Sequence, residues 1–202
     1  MKKVLVVGAT GGIGRALHQA IEGSLGTTQN PSPESDLVTL DVVLPYTYPV
    51  FDDKFDEIYF CTGMTGRAPD HIVMEVNATG AISCLAHLAN YVVDGGSIRI
   101  MSSINASLAY AVTAPSLDAP AVYRMSKVAL NIGVIRLHHK FDKINWQLIH
   151  PGFVKTRMTE KIAHDPKYHV LTPEEAAQRI IQTPVDRRLS FVNTATGKDI
   201  PW

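Results

Sequence analysis

The chain has 202 residues, 46% of them hydrophobic and 19% charged, a composition that excludes intrinsic disorder and suits one domain with a sizeable core. Lys+Arg and Asp+Glu both number 19; with zero formal net charge, and only Lys2–Lys3 and Arg187–Arg188 as basic pairs, no nucleic-acid partner is expected. Two cysteines, Cys61 and Cys84, with no CxxC spacing, argue against a disulfide framework or a structural zinc site, so no metal is expected and a reducing cytoplasm fits. The opening residues imitate a signal peptide, but their apolar run is too short. No stretch approaches the roughly 18 apolar residues that span a bilayer, and no membrane partner is expected.

In chain order, β-branched runs at residues 4–7, 37–43, 57–60, 97–101 and 146–149 predict strands, and the patterns between them predict helices. A helix opens after a glycine turn, over 12–22. A second covers 72–91, where Val73, Val76, Gly80, Cys84 and Leu88 recur at helical steps. A third covers 122–140. Thr172 followed by Pro173, Glu174 and Glu175 marks a helix start. Residues 23–36 and 111–120 are rich in turn formers and read as loops. Alternation of this kind predicts an α/β fold, a doubly wound parallel sheet of Rossmann type in a single domain over 1–202.

Gly8-Ala9-Thr10-Gly11-Gly12-Ile13-Gly14 lies between a predicted strand and a predicted helix. Its glycines let backbone approach a pyrophosphate, and the helix start supplies oriented N–H groups and partial positive charge. Ser103 ends the strand at 97–101, where a hydroxyl points into the crevice above a parallel sheet and can donate to a carbonyl oxygen; Ser102 is its rival. Tyr123 and Lys127, four residues apart, share a helix face. A phenol that exchanges protons near neutrality must titrate about three units below its usual value, roughly 4 kcal/mol, and a neighbouring ammonium acts in that direction. His138–His139 reads as a helix-end surface pair, and His164 and His169 as solvated.

The glycine spacing, Gly-xxx-Gly-x-Gly, resembles that of the short-chain dehydrogenase/reductase family, whose later signatures follow in family order along nearly the whole chain. The stretch "YRMSKVALN" and the ending "GKDIPW" look like its small carbonyl-reductase branch, typified by C-factor and sniffer-type proteins. The resemblance implies an NAD(P)-dependent oxidoreductase that moves hydride between nicotinamide and a small-molecule carbonyl or alcohol, and a homodimer or homotetramer. Its implied catalytic set is Asn77, Ser103, Tyr123 and Lys127: Tyr123 is acid or base, Lys127 tunes it and holds the ribose, and Ser103, preferred over Ser102, polarises the carbonyl. Asn77, in mid-helix with Gly80 beyond it, orders a relay water.

The resemblance further places the cofactor against Gly8, Thr10, Gly12, Ile13 and Gly14. The stretch at 25–31 holds strand two, with Gln29 and Asn30 at the point that selects the cofactor, where neither the acid of an NAD enzyme nor the arginine of an NADP enzyme appears; NADP and NAD both stay open. Asp41-Val42 lies beside the adenine, although an alternative registration makes Asp41 the ribose acid. Cys61-Thr62-Gly63-Met64 stands where the family usually shows Asn-Asn-Ala-Gly, putting Cys61 and Gly63 beside the cofactor. Pro151-Gly152 forms a turn that sets Val154 and Thr156 against the nicotinamide carboxamide. Residues 110–121 look inserted between Ser103 and Tyr123 and line the substrate mouth, with a substrate loop near 157–171. A dinucleotide sensor without turnover is the alternative reading.

Overall fold

The computed structural model describes residues 2–65, 68–113, 119–160 and 169–202. The first half runs β1 (Val4–Val7), α1 (Gly12–Ala20), β2 (Leu25–Thr28), β3 (Val38–Thr39), β4 (Phe55–Phe60), α2 (Asp70–Met74), a π-helical turn Glu75–Thr79 and α3 (Gly80–Leu88). The second runs β5 (Val92–Met101), α4 (Leu108–Thr113), α5 (Ala121–Lys140), β6 (Asn145–His150), β7 (Phe153–Val154), β8 (Val170–Leu171), α6 (Pro173–Gln182), β9 (Leu189–Asn193) and β10 (Lys198–Asp199).

Eight strands make one sheet in the order β3–β2–β1–β4–β5–β6–β9–β10. Every pairing is parallel except β9 with β10. Side chains alternate across the strands, so each face carries its own apolar set. Leu5, Val7, Ile58, Phe60, Ile98, Ile100 and Leu148 pack with Leu85 and Leu88 of α3 and with Leu130 and Val134 of α5. On the other face Val4, Val6, Tyr59, Met101 and Ile149 meet Ala16 and Leu17 of α1 and Ala177 and Ile180 of α6. The doubly wound parallel sheet is as expected. Its direction of winding reverses between β1 and β4, which opens a crevice above their carboxyl ends.

Several elements differ from the sequence reading, each for a local reason. The strand expected over 37–43 keeps only Val38–Thr39, because at Asp41 the chain turns: Asp41 Oδ1 accepts from Val43 N at 3.0 Å, and Asp41 N donates to Thr47 Oγ1 at 2.9 Å. Residues 111–113, expected in a loop, close the last turn of α4. The strand β9 went unforeseen: its five residues pair with β6 from a distant part of the sequence, too short a run to announce themselves. An 18-residue window within the helical stretch Asp70–Tyr91 has a mean hydropathy of 1.4, long and apolar enough to cross a membrane, contrary to expectation, but half of that window is buried here. Thr172 caps α6 as foreseen, with Glu175 completing a capping box.

A charged pair is buried on the α6 side of the sheet. Arg99 Nε meets Glu57 Oε1 at 2.6 Å, and Arg99 also donates to the carbonyls of Ile180 and Thr183 at 2.7 and 2.9 Å, tying the end of α6 to the sheet. Removing one partner of such a pair strands the other charge away from water. Arg99→Met is expected to cost about 3–5 kcal/mol in urea unfolding, whereas Arg187→Ala, which breaks the exposed bidentate contact with Asp199, is expected to leave the urea midpoint almost unchanged.

Candidate active site

Parallel pairing delivers the carboxyl ends of β1, β4, β5 and β6 to one rim, and most of the residues singled out in the sequence follow those ends. The densest group surrounds Lys127, in the second turn of α5. Its side chain is only 3% exposed, and Nζ donates to the carbonyl of Met101, the last residue of β5, at 2.9 Å. Gly63, following β4, adopts φ +154°; a Cβ there would sit 3.3 Å from both Lys127 Nζ and Asn77 Oδ1. Glycine at this position lets the loop lie directly against the ammonium.

Asn77 occupies the π-helical turn. Its amide clamps the loop after β4: Oδ1 accepts from Met64 N at 2.8 Å, while Nδ2 donates to Met64 O at 2.8 Å and to Ser126 Oγ at 2.9 Å. Both amide protons are thereby engaged, and Oδ1 keeps one acceptor site. Ser126, which sequence reasoning passed over, donates in turn to the carbonyl of Tyr123 at 2.8 Å. It stands three residues after Tyr123 and one before Lys127, a position whose importance only the packed helices reveal.

The two serines after β5 part company. Ser102 Oγ donates to Asn131 Oδ1 on α5 at 2.6 Å. Ser103 stands beside Tyr123, where it acts to lower the phenol's pKa, and its Oγ accepts from Asn105. Ser103, Tyr123, Lys127 and Asn77 therefore form one cluster, with Lys127 Nζ 6.0 Å from the centre of the tyrosine ring.

The glycine turn is assembled beside it. Gly8 takes φ +83° and donates to Thr27 Oγ1 at 3.2 Å; Thr27, buried in β2, is a second residue the sequence did not single out. A Cβ on Gly14 would collide with the carbonyl of Gly8, and one on Gly12 would lie 2.6 Å from Thr156 Cγ2. The turn thus meets the segment after β6. The first turn of α1 has neither a side-chain cap nor an acidic residue, leaving its N–H groups to an anion. Thr10 is exposed and Ile13 half-buried at this turn, while Cys61 borders Gly8 and Gly14; burial pushes the Cys61 thiol up to about 12.

After β6, Gly152 takes φ +87°, and a Cβ on it would stand 3.0 Å from that of Ala195, so Pro151–Gly152 turns tightly against the chain after β9. Val154 is buried, and Thr156 N donates to Thr159 Oγ1 at 3.0 Å. Asn30 lies exposed just past β2, its N–H on Thr28 Oγ1 at 3.2 Å. Because β2 is Leu25–Thr28 and Asp41 follows β3, the alternative registration of Asp41 at the end of strand two does not hold. The Val42 side chain belongs to the core, and its carbonyl accepts from Tyr48 Oη at 2.6 Å. His164 and most of the substrate loop lie outside the described residues, as do residues 114–118 of the insertion.

One electrostatic expectation is corrected. In the chain by itself burial raises the Tyr123 pKa above its ordinary value, and the opposing influence comes from the neighbouring Ser103 hydroxyl rather than Lys127. The lysine shares the same poorly solvated pocket, and desolvation pushes its own pKa down to about 8.

That shift has a measurable sign. Lys127 gives up its proton near 8 when folded and near 10.5 when free, so between those values the unfolded chain binds more protons and stability rises with pH. Lys127→Met is expected to raise unfolding free energy near pH 7 by about 1–3 kcal/mol, with the gain falling below about 1 kcal/mol near pH 10. Urea titrations at both pH values check this.

A family model described as enoyl-(acyl carrier protein) reductase matches residues 64–186, a segment that contains all four clustered side chains. No curated protein sequence gives a significant match. Among solved structures, a carbonyl reductase from Pseudomonas aeruginosa in complex with NADP superposes over 100% of both chains with a TM-score of 0.78 at 22% identity. The NADPH-bound carbonyl reductase from chicken fatty liver covers 100% of this chain and 99% of its own, with a TM-score of 0.79 at 20% identity. For the carbonyl reductase Sniffer of D. melanogaster the figures are 100% of both chains, 0.76 and 19%. These structures share the fold, the family model covers more than half of the sequence, and the chain belongs to the short-chain dehydrogenase/reductase family.

Proposed function

We propose that the chain is an NAD(P)-dependent oxidoreductase acting on a small carbonyl or alcohol. The observation that carries this reading is the convergence of Ser103, Tyr123 and Lys127 at the rim beside an uncapped glycine turn. A bound nicotinamide dinucleotide supplies the hydride and, once oxidised, a positive ring. The N–H groups at Gly12, Ile13 and Gly14 would receive its pyrophosphate, with Gly8 and Thr10 shaping the turn. Asn30 would face the adenosine ribose, the backbone at Asp41–Val42 the adenine, and Cys61 and Gly63 the floor between them. Pro151, Gly152, Val154 and Thr156 would hold the carboxamide. With no carboxylate at Gln29–Asn30 to repel a 2′-phosphate, the site favours NADP(H) over NAD(H).

In reduction, the Ser103 hydroxyl donates to the carbonyl oxygen and Tyr123 Oη gives it a proton as hydride reaches the carbon. Lys127 then restores that proton through a water on the free acceptor site of Asn77 Oδ1. A phenol raised by burial stays protonated until charge builds on the substrate oxygen, which suits the reductive direction at neutral pH. The departure at Cys61-Thr62-Gly63-Met64 from the family's Asn-Asn-Ala-Gly favours the second reading, a dinucleotide sensor without turnover.

Exposed Met125 and Ile132, at 61% and 64% and two turns apart on α5, support a homodimer or homotetramer, and the free thiols Cys61 and Cys84 suit the cytoplasm. Tyr123→Phe is expected to leave NADPH affinity within about threefold by fluorescence titration while kcat falls about 10²–10⁴-fold. Dinucleotide binding with no absorbance decay against aldehydes, ketones and quinones in the unmodified chain would instead establish the sensor.

A further inference from the structure

We propose that Asn105 is a positioning residue that commits the Ser103 hydroxyl proton to the substrate. The inference rests on the reading of Ser103 as the group that polarises the carbonyl, and adds to it a residue that acts through the serine. Ser103 is extended, at φ −159° and ψ 149°, and caps the short 3₁₀ turn Ile104–Ala106. Its Oγ accepts from Asn105 N at 3.2 Å and from Asn105 Nδ2 at 3.3 Å. A hydroxyl has two acceptor sites and one proton. With both sites occupied by N–H groups, the proton is left for the side on which Tyr123 stands.

Two further features single out Asn105. Its Oδ1 is buried without a hydrogen-bond partner, and among the described residues its side chain makes no other hydrogen bond than the one to Ser103. An orphaned buried acceptor is costly, so the amide earns its place only through its N–H on the serine. The neighbouring pair shows the opposite arrangement: Asn131 turns its oxygen to Ser102 and takes the hydroxyl proton at 2.6 Å. One asparagine consumes a serine proton, and the other leaves a serine proton free. Donation into Oγ also polarises the O–H bond and makes it the better donor.

The test compares Asn105→Ala and Asn105→Asp with Ser103→Ala and the double variant Ser103→Ala/Asn105→Ala, using whichever carbonyl the unmodified enzyme reduces fastest. The backbone N–H of residue 105 survives in every variant. Asn105→Ala is expected to lower kcat about tenfold with KM and NADPH affinity little changed. Asn105→Asp presents an acceptor where a donor stood, so it is expected to lose about 100-fold near pH 7 and to recover part of that loss as pH falls and the carboxylate protonates. In the Ser103→Ala background the second substitution is expected to cost nothing further. Wild-type kcat in both Asn105 variants, or an undiminished Asn105 effect without the serine, overturns the proposal while the serine's role stands. Full turnover in Ser103→Ala overturns both. Should the aspartate variant not fold, the alanine variant and the double-variant comparison decide the matter alone.

Discussion

An ammonium group withdrawn from water is the constraint around which the site is arranged. Lys127 has the carbonyl at the end of β5 as its hydrogen-bond partner and Gly63 alongside, and desolvation takes its pKa down to about 8. A charge can be kept there only because neighbouring segments bring oxygen atoms and exclude bulk. Gly63 allows the loop after β4 to approach, and Asn77 fixes that loop by two hydrogen bonds to Met64. Ser126 joins the helix bearing Asn77 to the helix bearing Tyr123. The polar bracing is thus continuous from the π-helical turn to the backbone of Tyr123.

The apolar layers give this bracing its precision. Both faces of the sheet are covered, so the strands cannot slide without exposing Leu5, Ile98 or Leu148 on one side and Val6 or Tyr59 on the other. Parallel pairing then places Gly8, Cys61, Ser103 and Pro151 at one rim. On the far face Arg99 ties the end of α6 to the central strands, and α1 packs against α6 in the same layer. The glycine turn opens from a helix held in this way.

What the sequence discloses follows from how local each signal is. The glycine turn, the Tyr123–Lys127 pair and the capping box at Thr172 are written within a few residues, and all lie where local chemistry puts them. The strand β9 and the helix α4 depend on distant partners: β9 pairs with β6, and α4 is held where Ser107 Oγ donates to Pro201 O at 2.6 Å and Ala109 N to Trp202 O at 3.1 Å. The same limit applies to electrostatics. Spacing shows that an ammonium is near a phenol, but not that both are desolvated, so the direction of the Tyr123 shift was illegible. Ser126 and Asn105 were missed because a polar side chain discloses its partners only once helices and strand ends have met.

The closeness of Gly12 to Thr156 has a bearing on how the molecule comes into being. These residues come from opposite ends of the parallel sheet's sequence, so the pocket wall they share forms only after the long-range pairings have closed, which are the slow steps of such topologies. A nascent chain that has emerged only through β5 can bury apolar surface but has no complete cradle for a ligand. Ligand retention is therefore a late milestone of maturation, and any metabolite that binds there preferentially rewards finished molecules over partly assembled ones.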